Sequence, residues 1–183
     1  MVNLEQDLRK IYLEQDGITL EQRQLLENLK KNNKIIMYTG GTFDLFHDGH
    51  LNLLKRARDM GDFLVVAVST DELVASYKER PVVSYEGRCN ILKGLRCVGL
   101  VVKQNQLFDV DQFNRLMADY FAIGDDWINN KEIPGLNWLR DNGKVIFFPY
   151  TKGLSTTEIK DRIVENVKRS EYEKIRKSGK YPT

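Results

Sequence analysis

The sequence predicts one α/β domain built on a doubly wound parallel sheet, with a helical extension before it. The run Phe63–Val68 is unbroken and rich in β-branched residues, as expected for a strand buried on both faces of a parallel sheet. Gly40 and Gly41 close an earlier apolar run and precede a helical pattern. Strand and helix patterns then alternate along the chain, which is typical of a doubly wound fold.

Capping signals and hydrophobic spacing predict the elements in chain order. Thr19 and Gln22 form a capping box before a helix over about 19–31, and residues 4–14 also have helical character. Strands are expected near 34–39, 63–68, 99–103, 120–123 and 144–148, and helices near 51–60, 85–95, 109–118 and 135–141. Ser155 and Glu158 form a second capping box before the last helix. We therefore expect an extension at 1–33, a domain at 34–170 and a basic tail at 171–183.

The composition excludes several classes of protein. Hydrophobic residues make up 42% and charged residues 30% of the chain, which indicates a globular protein rather than a disordered one. The formal charge of +2 is too balanced for a protein that wraps a long nucleic acid. No apolar run approaches the roughly 20 residues of a membrane helix and no targeting segment is visible, so a cytoplasmic location is expected. Cys89 and Cys97 form no metal or redox pattern and are expected to be small buried residues.

The segment from Gly40 to His50, between the first strand and the first helix, carries the strongest sign of chemistry. It holds both histidines of the chain, His47 and His50. Ligands of doubly wound sheets bind at the carboxyl ends of strands, where a glycine-flanked helix N-terminus offers free N–H groups to phosphate. Both imidazoles are therefore expected to face one anion pocket. Satisfied core or surface side chains are the first alternative, but neither histidine is expected to pack or cap well. A zinc site is the second; it lacks a third histidine or a suitably spaced cysteine, although aspartates could complete a less typical site.

These residues resemble the motifs of the cytidylyltransferases, nucleotidyltransferases that share an H-x-G-H sequence. Gly41–Asp44 with His47–His50 is similar to the first motif of the family, and Gly153–Thr157 is similar to its second, usually written R-T-x-G-I-S-T-T. Three intervening stretches resemble the glycerol-3-phosphate branch of the family at matching spacing: Ser69–Glu72, Ser84–Arg88 and Gly124–Trp127. The resemblance runs from about Ile35 to Ile163.

The resemblance implies transfer of CMP from CTP to a small phosphomonoester, with release of pyrophosphate, Mg2+ bridging the nucleotide phosphates, and a homodimer. Glycerol 3-phosphate is the first expected acceptor, while phosphocholine, phosphoethanolamine and other phosphorylated capsule or lipid precursors stay open. The implied catalytic residues are His47, His50 and Lys78. The implied nucleotide-binding residues are Gly41, Thr42, Phe43, Asp44, Gly49, Arg88, Asp125, Gly153, Ser155, Thr156 and Thr157.

Two positions depart from the family pattern. Tyr150 stands where the second motif begins with arginine, so Lys152 or a helix residue would have to supply that charge, and Gly99 stands where the family has aspartate. Arg96 matches a family arginine but could equally be an exposed or interface residue. Two other functions stay open: an adenylyltransferase that uses ATP on the same scaffold, and a catalytically silent nucleotide-binding protein.

Overall fold

The structure is a computed structural model that describes residues 11–178 except 12, 152 and 154, with side chains described as far as residue 174. The strands are β1 (Ile36–Gly41), β2 (Phe63–Ser69), β3 (Leu100–Gln104), β4 (Tyr120–Gly124) and β5 (Val145–Phe148). The helices are α1 (Leu20–Lys31), α2 (Asp48–Asp59), α3 (Asp71–Ala75), α4 (Tyr85–Lys93), α5 (Val110–Arg115), α6 (Pro134–Asp141) and α7 (Thr156–Ser178). Most of the helical stretch expected at 4–14, and the last residues of the expected tail, lie outside the described residues.

The strands form one parallel sheet in the order β3-β2-β1-β4-β5. β1 lies at the centre, where Ile36–Gly41 pair with Phe63–Val68 on one side and Met37 and Tyr38 pair with β4 on the other. The strand order changes direction between β1 and β4, which is the switch point at which doubly wound sheets bind ligands. The predicted fold class is therefore confirmed.

The described part of the N-terminal extension packs against the sheet. Thr19 accepts from the Gln22 backbone N–H and Gln22 reaches back to the Thr19 N–H, so the predicted capping box is present at the start of α1. Ile18 and the fully buried Leu26 belong to the same buried cluster as Tyr38 of β1. Residues of the extension thus supply apolar cover to one face of the sheet.

A buried polar network ties the extension to the domain. The Tyr38 hydroxyl donates to Gln112 Oε1 at 2.8 Å, and Gln112 Nε2 donates to Asp16 Oδ1 at 2.9 Å and to the Lys103 carbonyl at 2.7 Å. Asp16 also forms an ion pair with Arg115 at 2.8 Å. Burial raises the pKa of Tyr38 far above its ordinary value. Both polar atoms of the Gln112 amide are therefore bonded within the protein.

One helix boundary and one additional helix differ from the prediction in ways that matter for the site. α2 begins at Asp48 rather than near residue 51, because His47 caps its N-terminus. The short helix α3 was not predicted, since its five residues are too few to show helical periodicity; Thr70 Oγ1 caps it by accepting from Leu73 N at 3.1 Å. Among the described helices, none combines the length and apolar character needed to cross a membrane.

Candidate active site

A cleft of about 1170 Å³ opens where β1 and β4 end, at the switch point of the sheet. Its walls come from the loop after β1, the segment after α3, the turn after β4, the segment after β5 and the start of α7. Among the residues singled out from the sequence, the cleft is lined by Gly41, Thr42, Phe43, Asp44, His47, Gly49, His50, Lys78, Ser155, Thr156 and Thr157. The fold therefore brings the two sequence motifs to one place.

His47 is fixed in position by the helix that it begins. Its backbone is extended, and its Nδ1 accepts a hydrogen bond from Gly49 N at 3.1 Å. The expectation that neither histidine caps well is wrong for His47, which is the N-cap of α2. Because Nδ1 is an acceptor, the neutral ring carries its proton on Nε2, which is free to donate to a ligand.

His50 lies in the first turn of α2 and is held by aromatic rings. Its ring stacks on His47 with centroids 3.9 Å apart and on Phe46 at 5.5 Å, and it meets Phe43 edge-on at 5.4 Å. His50 Nδ1 is buried and has no hydrogen-bond partner among the described residues. The expectation that neither histidine packs well is therefore wrong for His50 too, and its ring retains an unsatisfied polar atom within the cleft region.

Both imidazoles are held neutral. Burial lowers the pKa of His50 to about 3, with further lowering by His47 and Lys78 and partial compensation by Asp44. Burial also lowers the pKa of His47, against the opposing charges of Asp48 and Glu158. At neutral pH the pair therefore acts as hydrogen-bond donors rather than as cations. A bound polyphosphate would raise both pKa values, because an anion favours the charged imidazolium.

Asp44 joins three parts of the cleft wall. Its carboxylate accepts from the backbone N–H groups of Val82 and Val83, each at 3.0 Å, and from its own neighbour Leu45 at 3.1 Å. Lys160 of α7 lies 3.9 Å from the same carboxylate. Asp44 is 4% exposed, so its carboxylate serves mainly to hold the segment after α3 against the loop after β1.

Lys78 and Lys160 both place positive charge in the cleft. Partial desolvation lowers the pKa of Lys78; Lys160 and Arg88 lower it further, and Asp44 opposes them. Lys160 affects the pKa of Lys78 because the two ammonium groups share one cleft around Asp44. Two cations held near one buried carboxylate leave net positive charge available to an anionic ligand.

The start of α7 is fixed to the loop after β1. Thr156 Oγ1 donates to the Asp44 carbonyl at 3.0 Å, and Ser155 Oγ accepts from Glu158 N at 3.1 Å as a helix cap. Gly153 adopts a φ of +77°, a turn conformation that favours glycine, but it does not line the cleft. The start of a long helix thus lines the same cleft as the histidine pair, where its free N–H groups can meet an anion.

Arg88, which the resemblance implies as a nucleotide-binding residue, lies in the interior of the protein. Its side chain is fully buried, and it donates to the carbonyls of Val83 and Thr42 and to Asp71 Oδ1 at 2.6 Å. It does not line the cleft. Its guanidinium holds the loop after β1, the start of α4 and α3 together, so it positions the site without facing it.

Asp126 takes the place in the cleft that was expected of Asp125. Asp125 Oδ1 accepts from Tyr150 N at 3.0 Å and is not part of the cleft wall, whereas Asp126 and Trp127 line it. Burial raises the pKa of Asp126, with a smaller contribution from Asp125. A Cβ at Gly124 would lie 2.3 Å from Asp126 Oδ1, so glycine there lets the carboxylate fold back over the strand end. In sequence the two adjacent aspartates could not be told apart.

The structure explains why Gly99 stands where the family pattern has aspartate. A Cβ at Gly99 would lie 2.4–2.7 Å from three ring carbons of Phe63, so that side chain occupies the space that an aspartate would need. Tyr150 lines the cleft and is 46% exposed. Arg96 is exposed and lies away from the cleft.

The fold and the site define a class of protein. A parallel sheet whose central strand leads through a glycine-rich loop into a histidine-bearing helix, with a second helix N-terminus opposite, is an α/β protein built to bind phosphate groups. The chain belongs to the cytidylyltransferase-like family, whose model matches residues 38–162.

Several relatives are similar in sequence to this chain over most of its length. It is 40% identical over 134 residues to a glycerol-3-phosphate cytidylyltransferase of Bacillus subtilis (strain 168), an alignment that covers 71% of this chain and 96% of that protein. It is 38% identical over 134 residues to a protein of the same name from Staphylococcus aureus (strain NCTC 8325 / PS 47), covering 71% and 94%. It is also 32% identical over 170 residues to the bifunctional protein HldE of Helicobacter hepaticus (strain ATCC 51449 / 3B1), covering 92% of this chain and 32% of that longer protein.

A solved structure shares the fold. The lipopolysaccharide core biosynthesis protein from Thermoplasma volcanium GSS1 superposes with a TM-score of 0.55 at 19% sequence identity, over 65% of this chain and 99% of that chain. At that identity the similarity supports the architecture alone.

Proposed function

We propose that the protein transfers CMP from CTP to glycerol 3-phosphate and releases pyrophosphate. The observation that carries the proposal is the stacked pair of neutral histidines at the start of α2, which lines one cleft together with the start of α7. The names of relatives at about 40% identity support the choice of nucleotide and acceptor.

The chemistry needs no general base. An oxygen of the acceptor phosphate, already ionised at neutral pH, attacks the α-phosphorus of CTP and forms a new P–O bond. The bond from that phosphorus to the oxygen shared with the β-phosphate breaks, and pyrophosphate leaves with the electron pair. Catalysis then consists of aligning two anions and stabilising charge on the α-phosphoryl group.

The described residues supply those two needs. His47 Nε2–H and the His50 ring donate to oxygens of the α-phosphoryl group, and Ser155, Thr157 and the free N–H groups of α7 hold the β- and γ-phosphates. Lys78 offsets the repulsion between the nucleotide and the acceptor phosphate. By analogy with a removed oxyanion donor, each imidazole donor contributes about 3 kcal/mol to the transition state.

Magnesium is part of the proposal as a companion of the nucleotide. Among the described residues, no group of three or more His, Cys, Asp or Glu side chains could hold a metal ion. Magnesium sites that use substrate phosphates need only one or two protein carboxylates, and Asp126 is a carboxylate on the cleft wall. A single carboxylate such as Asp126 fits a Mg2+ ion that is bound largely through the triphosphate. The ion would neutralise phosphate charge there.

A homodimer and a cytoplasmic location also remain proposals. The first rests on the sequence resemblance and the second on a composition typical of globular proteins. Sedimentation velocity at micromolar concentration tests the dimer: a single species near twice 21.3 kDa supports it, and a monomer contradicts it.

A substrate panel tests the reaction. Pyrophosphate release is measured with CTP or ATP and with glycerol 3-phosphate, phosphocholine or phosphoethanolamine, and the product is identified by mass spectrometry. We expect the highest kcat/KM with CTP and glycerol 3-phosphate and a product of the mass of CDP-glycerol. Equal or better turnover with ATP would favour the adenylyltransferase, and CTP binding without turnover of any acceptor would favour a silent nucleotide-binding protein.

Two lysine variants, assayed with the same substrates, test the role of Lys78. Lys168 lies on the exposed part of α7, outside the cleft. Lys78→Ala is expected to lower kcat/KM at least tenfold because the two phosphates then repel each other unscreened, whereas Lys168→Ala should leave it within twofold. Equal effects of the two changes would contradict the role given to Lys78.

A further inference from the structure

Gln104 at the end of β3 is buried, yet its amide reaches the cleft. The residue is 2% exposed and is part of the cleft wall. Ser69 Oγ donates to Gln104 Oε1 at 2.7 Å, which fixes the plane of the amide. Its Nε2 donates to none of the residues that the structure describes. Among the described residues, the side-chain polar atoms that are sealed from solvent without a partner are Thr39 Oγ1 and His50 Nδ1, so Gln104 Nε2 keeps contact with the open cleft. An amide N–H held there by Ser69 can donate to a ligand oxygen.

Gly40 makes room for this amide. A Cβ at position 40 would lie 2.6 Å from Gln104 Nε2 and 3.2 Å from its Cδ. The φ of Gly40 is not in the left-handed region, so close approach of the amide, rather than backbone conformation, explains the glycine. The amide therefore lies close to the end of β1, at the residue before Gly41 of the first motif.

The other buried glutamine shows that such an amide can be satisfied within the protein. Gln112 is 1% exposed, and its Oε1 and Nε2 both have partners among Tyr38, Asp16 and Lys103. Gln104 instead lines the cleft, where no described residue accepts from its Nε2. The unpaired donor is thus a property of the cleft and not of buried glutamines in this chain.

We propose that Gln104 determines acceptor specificity by donating Nε2–H to a hydroxyl or other oxygen in the body of the acceptor phosphomonoester. The proposal rests on the proposed function and names the acceptor class as hydroxyl-bearing phosphomonoesters, such as polyol phosphates. Gln104 lies on the β1–β3 side of the cleft, as does Lys78, while Asp126 and Trp127 lie on the β4 side. An acceptor whose phosphate meets Lys78 therefore brings the rest of its body to the side of the cleft on which Gln104 lies.

The same donor discriminates against other acceptors. A trimethylammonium group would place methyl carbons against the amide and leave its N–H unpaired, and a primary ammonium would place a donor against a donor. A site built around a hydrogen bond to a substrate oxygen rejects analogues that lack the oxygen more strongly than an apolar pocket can.

The test compares two changes that remove the same contact. Gln104→Leu removes the donor, and Gly40→Ala displaces it with a Cβ. For each variant, kcat/KM is measured with glycerol 3-phosphate and with phosphocholine, and the Kd of CTP is measured by calorimetry. We expect each change to lower the preference for glycerol 3-phosphate about tenfold through the acceptor KM, with the Kd of CTP within twofold of wild type. The double variant should lose no more preference than either single variant.

Gln112→Leu is the matched control, because it removes an equally buried glutamine away from the cleft. It should lower the melting temperature and leave acceptor preference unchanged. Unchanged preference in folded Gln104→Leu, or weakened CTP binding with acceptor preference intact, overturns the role of Gln104 alone. A wild-type protein that turns over none of these phosphomonoesters overturns the proposed function, and this inference with it.

Discussion

Replacing Arg88 with methionine tests whether this residue positions the site or binds nucleotide. The guanidinium is fully buried and bonds to two backbone carbonyls and to Asp71. Methionine keeps most of the volume of the side chain and removes every one of these bonds. The change therefore acts on the scaffold that carries Thr42 and the start of α4.

The loss in free energy of unfolding can be estimated from the exposure of Asp71, the ion-pair partner of Arg88. Breaking a buried ion pair by removing one member costs about 3–5 kcal/mol, because the other charge is left unpaired. The Asp71 side chain is 28% exposed and can recover water, which places the expected loss near the lower end, at about 3 kcal/mol. For a chain of this length that corresponds to a fall in melting temperature of roughly 6–12 °C.

Urea denaturation and calorimetric CTP titration together decide the role of Arg88. We expect the free energy of unfolding to fall by about 3 kcal/mol, while the protein that remains folded binds CTP with a Kd within about threefold of wild type. Arg96→Met, a change at an exposed arginine, serves as the control and should alter stability by less than about 0.5 kcal/mol. Wild-type stability combined with strongly weakened CTP binding would refute the positioning role and restore Arg88 as a nucleotide ligand.

Three further outcomes are expected. The pKa of His50 is about 3 when folded and near 6.5 when unfolded, so protons favour the unfolded state and stability falls as the pH drops below about 6.5. Between pH 7 and pH 5, wild type should therefore lose about 2 kcal/mol more than His50→Gln in urea titrations, and equal losses would contradict the neutral buried ring. Gly99→Asp, which restores the family residue, should cost about 1–3 kcal/mol by forcing Phe63 to move, and an unchanged melting temperature would contradict that packing. Asp126→Asn removes a carboxylate from the cleft wall and should raise the KM for CTP severalfold. Asp125→Asn keeps an oxygen that can accept from Tyr150 N and should leave this KM within twofold. The reverse order of effects would contradict the placement of these two residues.

The fold could be predicted from the sequence because the signals that define its elements are local. The Phe63–Val68 run, the Thr19 capping box and the alternation of strands with helices each depend on a few neighbouring residues, and the structure contains all three. The helix α3 escaped prediction because a five-residue helix depends on its Thr70 cap and not on periodicity. The start of α2 was placed too late because a histidine is an uncommon helix cap, and only the bond from Gly49 N reveals it.

The candidate site was predictable where motif and position agree, and it was not predictable where tertiary contacts decide. His47, His50 and Thr156 reach one cleft because strand ends of a parallel sheet converge. Whether Arg88 faces the cleft or the interior depends on Asp71 and two carbonyls that lie elsewhere in the sequence. Gln104 carried no sequence signal at all, since its unpaired amide appears only when β3 lies beside Ser69 and Gly40.

Single-turnover kinetics of His50→Ala test the central claim most directly. With CTP and glycerol 3-phosphate at saturation, removing the donor should slow the chemical step by a factor of roughly 100–1000, while calorimetry shows the Kd of CTP changed far less. Phe43 and Phe46 continue to pack around the position, so the fold can be checked by thermal unfolding. A folded His50→Ala protein with a wild-type rate of CMP transfer would contradict the assignment of this histidine pair to the α-phosphoryl group.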